Sequence, residues 1–375
     1  MTQATHINYL KQALALAQKR KGSCAPNPAV GAIIVKNNQI IAMGYHLGAG
    51  KAHAETEALK QLSLEDSVDA VMYVTLEPCC HYGRTPPCTE LLIKHRIKTV
   101  YYGLTDPNPL VSGQGASQLK QAGIECVKLA LPEIKAFYES YLYWTDNTLP
   151  WVTAKLALSL DGKIAGEGGE RIAITGADAQ VFTHQWRKQS DAILTTVKTV
   201  IQDDPQLNVR LGKEIYKKPL YILDRNLDFP RNAKLLNTAE KITLFHVKNV
   251  IDKKKNELES LGINCMPIDL KNGMIDPVIV LSHIGGEGVH DLLLETGGVC
   301  FESFALANRI HRAFVYVALK WLGTKAYPAF QRDTSIFTHA KNLQWHILGD
   351  DVVCEFKFDS KFPPDFDKLS HRACG

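Results

Sequence analysis

The sequence has no low-complexity tract, no internal repeat and no run of like charge beyond Lys253-Lys254-Lys255. Each absence removes a class of protein. With 45% apolar and 22% charged residues, the composition is that of a chain that folds rather than stays disordered. A formal net charge of +4 over 375 residues lacks the density of a nucleic-acid-binding surface, so nucleic acid is not an expected partner, while small anions are easily accommodated. Nothing approaches the roughly eighteen consecutive apolar residues of a membrane span. Met1 to Gly22 lacks a continuous apolar stretch and carries its basic residues at the wrong end for a secretory leader, so a cytoplasmic protein that does not enter membranes is expected. Nine cysteines in such a chain read as reduced thiols and ligands rather than a disulfide framework. Cys24, Cys126, Cys265, Cys300, Cys354 and Cys374 carry no ligand spacing and are expected to be buried or incidental.

What is present divides in two, because 375 residues exceed one ordinary core. Ile7, Leu10, Leu14 and Ala17 are spaced as on a helix over 7–20, and Gly22 to Pro28 breaks the pattern. Ala29–Val35 and Ile40–Gly44 flank a polar turn and predict a hairpin. Helices are predicted at 54–62 and 88–95 and strands at 70–76 and 100–104, an α/β alternation. Residues 145–150, Thr-Asp-Asn-Thr-Leu-Pro, read as a linker. Beyond it, strands are predicted near 151–158, 191–195, 219–224, 242–246, 278–281, 291–295 and 312–319, and helices near 176–189, 253–261 and 299–308.

Residues 77–88 read Glu-Pro-Cys-Cys-His-Tyr-Gly-Arg-Thr-Pro-Pro-Cys, and His53-Ala-Glu55 stands upstream. A structural zinc site closes with four protein ligands, whereas a catalytic one presents three and keeps a position for water. His53, Cys79 and Cys88 are the natural three, and Glu55 is left over to move protons. Cys88 opens a helical pattern and Cys79 follows Pro78, so both thiolates are expected at positive helix ends, which favours their metal-binding form. His53 and Glu55 would diverge by about 200° on a regular helix, so they converge only at a helix start, which Gly48, Gly50 and Lys51 permit. Zinc lowers the pKa of bound water to about 7, and Glu55 is expected to take that proton and pass it to a leaving amine. Two plainer readings stay open: a structural zinc knot closed by Cys80 or His81, which leaves Glu55 without a role, and cysteines without metal.

The order His-Ala-Glu, Pro-Cys, Cys resembles the cytidine deaminase superfamily. The superfamily's usual Pro-Cys-x-x-Cys gap is lengthened here, with eight residues between Cys79 and Cys88. That longer form, with His81, Gly83, Arg84, Thr85, Pro86 and Pro87 inside it, resembles the deaminase half of the bifunctional deaminase/reductase family of riboflavin biosynthesis. Pro26-Asn27-Pro28-Ala29-Val30-Gly31, His46, Thr75-Leu76-Glu77-Pro78, Asp106-Pro107-Asn108 and Gly113-Gln114-Gly115 fit the same family. The resemblance covers about residues 7–145. It implies a diaminopyrimidinone substrate carrying ribosylamine phosphate, one exocyclic amine being replaced by a carbonyl with release of ammonia. Arg84, with Lys51 and His81, is then placed to pair with the phosphate. Asn27 is placed to hydrogen-bond the ring edge, and solvated loop chemistry is the plain alternative for each of these residues.

The stretch from Trp151 to Ala165 resembles the opening strand of that family's reductase half, which is similar to dihydrofolate reductase. Asp191-Ala192-Ile193-Leu194, Thr199-Val200, the run Asp203 to Arg210, and Leu292 to Gly298 continue the match. Gly-rich turn and helix start together can hold cofactor phosphate, and no Gly-x-Gly-x-x-Gly follows a strand, so the half is not Rossmann-type. By motif position the resemblance implies substrate contacts from Arg171, Arg187, Leu207, Arg210 and Glu295. It implies NADPH contacts from Ala157, Ala173, Thr199, Asp203, Arg225 and the segment Gly297, Gly298, Val299, Cys300, Phe301, Glu302 and Ser303. Arg171 and Ala173 stand where the family has serine and tryptophan, and Arg225 where a small hydroxyl residue is common; Arg309 to Arg312 and Leu319 depart as well.

The expected chain is α/β: a cytidine-deaminase-like three-layer domain over 1–146 and a dihydrofolate-reductase-like domain over 147–375. One zinc per chain, NADPH, a small phosphorylated pyrimidine and further copies of the chain are its expected cofactors and partners. One alternative keeps the deaminase and gives the second half only packing or oligomerisation. Another, from a different class, is a nucleic-acid base deaminase or RNA-binding module, which the low charge and the Arg84 loop disfavour.

Overall fold

The computed structural model describes residues 2–82, 86–108, 112–271, 273–330, 336–337 and 340–358. Two compact units divide after Thr148. In the first, Thr2 caps helix α1 (Gln3–Gln18) by accepting the Thr5 N–H, and Leu10, Ala13, Leu14 and Ala17 line its buried face. Strands β1 (Gly31–Lys36) and β2 (Gln39–Tyr45) form the expected hairpin, whose turn residues Asn37 and Asn38 both take the positive φ that a tight two-residue loop requires. Helices α2 (Ala54–Leu59) and α3 (Leu64–Ser67) lead to β3 (Val71–Leu76). There follow α4 (Cys88–Lys94), β4 (Thr99–Leu104), α5 (Gln114–Gln121), β5 (Glu125–Lys128), α6 (Pro132–Phe137) and α7 (Glu139–Asn147).

These strands make one sheet in the order β2-β1-β3-β4-β5, with β3, β4 and β5 parallel. Alternation along β1 sends Ala32 and Ile34 toward α2, α4 and α5, and Ile33 and Val35 toward α1, α6 and Tyr141 of α7. The unit is thus a three-layer sandwich, and the loops at the C-terminal ends of its parallel strands are free to carry chemistry.

The second unit opens with β6 (Trp151–Ser159), β7 (Lys163–Glu167), α8 (Ala177–Gln189), β8 (Ala192–Thr196) and α9 (Val197–Asp203). A small hairpin of β9 (Val209–Leu211) and β10 (Glu214–Tyr216) precedes β11 (Pro219–Leu223), α10 (Leu235–Thr238), β12 (Lys241–Val247), α11 (Asp252–Ser260) and β13 (Asn264–Ile268). Next come the short β14 (Leu270–Lys271) and β15 (Met274–Ile275), then α12 (Pro277–Gly286), β16 (Asp291–Glu295) and α13 (Gly298–Leu306). The unit ends with β17 (Arg312–Ala318), β18 (Ala326–Pro328), β19 (Ala340–Leu348) and β20 (Asp351–Phe358).

Its main sheet has nine strands in the order β13-β12-β11-β8-β16-β6-β17-β20-β19, parallel from β13 to β17 and antiparallel through β20 and β19. Leu292 and Leu294 of β16 pack toward α12 and α13, while Leu293 faces the other side with α10 and α11. Residues 278–281, expected as a strand, are the first turns of α12 instead. Pro277 sits in the first turn, Asp276 accepts the Val278 N–H at 2.8 Å, and the helix buries Val280, Leu281 and Ile284. The antiparallel strands β19 and β20, the β7–β18 pair and the β9–β10 hairpin were not anticipated.

Candidate active sites

Three segments of the first unit converge at the C-terminal end of β3. His53 stands immediately before α2, so the chain turns there and brings its imidazole toward the same corner as Glu55 one residue into the helix. Cys88 is the first residue of α4, at its positive end. Cys79 is not at a helix start as expected; it lies in the irregular turn after β3, where its Sγ accepts the Cys88 N–H at 3.4 Å. Cys79 Sγ is 3.5 Å and Cys88 Sγ 3.4 Å from His53 Nδ1, and the three ligand atoms all lie within 4.8 Å of one another. Tetrahedral zinc with Zn–S of about 2.3 Å and Zn–N of about 2.0 Å sets such atoms roughly 3.6 Å apart, so the donor set fits the ion.

Charge is distributed accordingly. The Cys88 thiol's hydrogen bond, with His53 adding to it, holds Cys79 as a thiolate down to about 4 against the opposing effect of burial. The same bond and burial push the Cys88 thiol up. His53 is raised to about 9, chiefly by its bond to Cys79. Glu55, only 3% exposed, is raised to about 7 by burial and then by the Cys79 charge. A buried carboxyl poised near neutrality beside three metal ligands is suited to accepting and returning a proton.

Asn27 reaches this corner through His46. Asn27 Nδ2 and His46 Nε2 are 3.1 Å apart, His46 Nδ1 faces the Ala52 carbonyl at 3.0 Å, and the His46 ring stands edge-on to His53 at 5.2 Å. With its proton on Nδ1, His46 accepts from the Asn27 amide and leaves Oδ1 to meet a ligand. His81 is exposed and lies near half-buried Asp106, whose carboxyl is raised by burial and favoured in its charged form by His81. Arg84 lies outside the described residues, and Lys51 is exposed.

Glu77 carried no predicted role of its own. It is 4% exposed, and its carboxylate accepts the N–H groups of Asp106 at 3.3 Å, Gly113 at 3.0 Å and Ala116 at 2.9 Å. It therefore caps α5, whose N-cap Gly113 has no side chain to do so. A Cβ on Gly115 would lie 2.0 Å from the Pro78 carbonyl, so the start of α5 rests directly on the turn carrying Cys79. The cap was invisible in sequence because its donors lie 29 to 39 residues downstream.

In the second unit the chain leaves β8 toward β11 and leaves β16 toward β17, in opposite directions, which opens a crevice at the C-terminal ends of these adjacent strands. Thr199 enters α9 there, its N–H held by the Thr196 hydroxyl, and Gly297 and Gly298 open α13 with no side-chain cap on its first turn. Uncapped N–H groups at the start of this nine-residue helix fit a cofactor phosphate. Cys300 and Phe301 belong to the core and Glu302 is buried, so of the predicted segment only Gly297, Val299 and Ser303 have appreciable exposed surface. Gly298 is held tightly, since a Cβ there would lie 1.7 Å from the Ala329 carbonyl. Ala157 is half-buried near the end of β6, and Ala173 is exposed with its carbonyl accepting from Lys320 Nζ. Arg225 donates to the Gly273 carbonyl at 3.0 Å.

Arg187 and Glu295 meet as a bidentate pair at 2.5 and 2.9 Å, and Arg187 Nη1 also donates to the Asn208 carbonyl at 3.0 Å. Burial opposes the Glu295 charge, but Arg187 holds its carboxyl below the usual range. Three donors of Arg187 are thus committed within the protein, whereas Arg210 is exposed beside buried Leu207. Lys155, paired in register with Glu295, was missed. Burial lowers its ammonium despite Glu295 beside it, and its Nζ lies over the Tyr316 ring at 5.2 Å. Arg171 reaches Asp203 at 3.7 Å, and burial raises the Asp203 carboxyl against the pull of Arg171 and Lys155.

A family profile described as the cytidine and deoxycytidylate deaminase zinc-binding region matches residues 3–104, and one described as the RibD C-terminal domain matches residues 150–354. The chain belongs to the RibD family. The riboflavin biosynthesis protein RibD of Actinobacillus pleuropneumoniae is 39% identical over 94% of this chain and 95% of its own length. That of Aquifex aeolicus is 40% identical over 93% and 98%. Among solved structures, Acinetobacter baumannii RibD superposes with a TM-score of 0.84 at 34% identity, covering 95% of this chain and 99% of that one. A Thermotoga maritima diaminohydroxyphosphoribosylaminopyrimidine deaminase/5-amino-6-(5-phosphoribosylamino)uracil reductase does so at 0.82 and 29% identity, with the same coverage.

As a RibD family member the chain is a bifunctional enzyme of riboflavin biosynthesis, with a zinc-dependent deaminase domain and an NADPH-using, dihydrofolate-reductase-like domain. The reading as a nucleic-acid base deaminase is set aside by this membership. Among the described residues no helix is long and apolar enough to cross a membrane.

Proposed function

We propose that the first unit deaminates 2,5-diamino-6-(5-phosphoribosylamino)pyrimidin-4-one and that the second reduces the ribosyl chain of the product with NADPH. The observation that carries the first step is the triangle of His53, Cys79 and Cys88 with Glu55 buried beside it. Zinc, when bound there, supplies an activated water. Asn27 and His46 orient the pyrimidine edge, and His81 and Arg84 meet the phosphate. Glu55 takes a proton from the incoming water and delivers it to the departing amine, which leaves as ammonia while the ring carbon keeps the oxygen.

In the second unit, NADPH, when bound, supplies a hydride. Ala157, Ala173, Thr199, Asp203, Arg225 and the start of α13 border its site. Arg210 and Arg171 face the substrate phosphate, Leu207 packs beneath it, and the Arg187–Glu295 pair fixes the floor. Lys155 is the cation placed to deliver the proton that balances hydride addition at the ribosyl carbon. The intact pair of Arg187 and Glu295 around Lys155 favours a working reductase over a degenerate one despite Arg171 and Ala173.

The chain is proposed to act in the cytoplasm, where thiols stay reduced; no disulfide joins any described cysteine. It is also proposed to associate with itself through β19, the sheet's outer strand, which leaves Leu343 56%, Trp345 64% and Ile347 82% exposed. Sedimentation of Trp345→Glu as a smaller species than the native protein is the expected result.

The test of function follows ammonia release and NADPH oxidation separately. Glu55→Gln is expected to keep one zinc per chain, to lose ammonia release by orders of magnitude, and to oxidise NADPH normally when given the deaminated product. Normal turnover by Glu55→Gln would sink the mechanism, and no saturable NADPH binding would end the reductase assignment.

A further inference from the structure

His184 lies on the face of α8 turned toward the sheet and is 8% exposed. Its Nδ1 accepts the backbone N–H of Arg210 at 3.1 Å. A ring that accepts through Nδ1 carries its proton on Nε2 and is neutral. One neutral imidazole therefore holds the Arg210 end of the segment Asn208 to Arg210.

The segment needs a grip. Leu207, just before it, takes a φ of 42°, a left-handed conformation that a branched aliphatic residue adopts only under constraint. Arg187 holds the Asn208 carbonyl at 3.0 Å. The Arg210 guanidinium, the end of this segment, bonds the side chains of Gln206, at 3.1 Å, and Asn208. All of these contacts fix where Arg210 projects, and His184, from α8, holds the Arg210 backbone itself.

We infer that His184 is a positioning residue for the reductase site, holding the Arg210 backbone so that the Arg210 guanidinium is presented to the phosphate of the substrate. The inference rests on the reading of Arg210 as a phosphate contact. The environment agrees with a ring that must stay neutral: burial, with the Arg187 and Arg210 charges adding and Glu295 opposing, lowers His184 to about 4. A protonated ring would turn its acceptor into a donor aimed at the Arg210 N–H.

The experiment is steady-state kinetics of the full chain on His184→Met, His184→Gln, Arg210→Ala and the double variant His184→Met/Arg210→Ala. Methionine fills the space of the ring without a strong acceptor, and glutamine restores a neutral acceptor and donor. His184→Met is expected to raise KM for the deaminated substrate roughly tenfold, the scale of a lost buried hydrogen bond, with kcat changed less than about threefold. NADPH affinity and ammonia release stay as in the native protein, His184→Gln returns KM to within about threefold, and His184→Met adds nothing in the Arg210→Ala background. An unmoved KM in His184→Met beside a raised one in Arg210→Ala overturns the role of His184 alone. An unmoved KM in Arg210→Ala overturns the phosphate reading beneath it. Loss of NADPH binding in His184→Met, or a glutamine variant no better than methionine, shows a merely structural histidine and overturns the inference as well.

Discussion

Glu77→Gln isolates one buried capping group without changing side-chain shape. The native carboxylate accepts three N–H groups, two on Oε2 and one on Oε1. A glutamine can keep its oxygen toward Asp106 and Gly113, but its amide nitrogen then faces the Ala116 N–H, 2.9 Å from the native acceptor, donor against donor. The loss combines one charge-assisted bond with one unsatisfied buried donor, together about 3 kcal/mol. For a unit of this size that lowers its midpoint by roughly 6 to 12 °C. Calorimetry of the full chain reads the effect, because chelating zinc moves the transition of the first unit and adding NADPH moves that of the second. Hydrogen exchange over 112–121 should accelerate in the same variant as α5 loses its cap. A first transition within about 1 °C of the native value would refute the capping role, and an equal shift of the second transition would show that the effect does not belong to this site.

Cys88→Ser is expected to fall from one zinc per chain toward none on dialysis and to lose ammonia release, while still oxidising NADPH on deaminated substrate; metal analysis beside both assays checks it. Gly298→Ala forces a methyl against the Ala329 backbone, 1.7 Å from its carbonyl oxygen, and should abolish saturable NADPH binding with ammonia release unchanged. His311, buried and accepting the Val152 N–H at 2.9 Å, is lowered to about 3 by burial and by Arg309. Its folded pKa lies below its unfolded value, so the unfolded chain gains a proton first as pH falls. The stability it contributes is whole above about pH 6.5 and is lost on the way down to about pH 3, at up to 1.4 kcal/mol per pH unit. Urea unfolding of the second unit should cost about 2 kcal/mol less at pH 5 than at pH 6.5 on this account. His311→Gln should flatten that dependence, and an unchanged slope would discard it.

The zinc corner was legible because its residues are chemically rare and two of them, His53 and Cys88, mark the starts of α2 and α4. The misplacement of Cys79 came from reading Pro78 as a helix start; that proline instead ends β3 in a turn braced by Gly115. Residues 278–281 were read as a strand because a helix apolar on nearly every side has no period to betray it, although the Asp276-Pro277 cap was in plain view. Arg187, Arg210 and Glu295 came from motif likeness alone. Nothing local distinguishes an arginine that spends its donors on a buried glutamate from one left to face solvent, since the partner is 108 residues away. Glu77, Lys155 and His184 escaped for the same reason: their meaning lies in strand neighbours and distant backbone.

The three leucines before Glu295 do more than fill two sides of a sheet. Because Leu292 and Leu294 point one way and Leu293 and Glu295 the other, sliding β16 by a single residue would put Leu294 where the carboxylate meets Arg187 and bury Glu295 among α12 and α13. The cost of that slip is borne by hydrocarbon, in the residues that precede the carboxylate. The Glu295 carboxylate is thereby indexed by greasy residues as a key is indexed by its notches, and its aim at Arg187 is set when the strand is threaded.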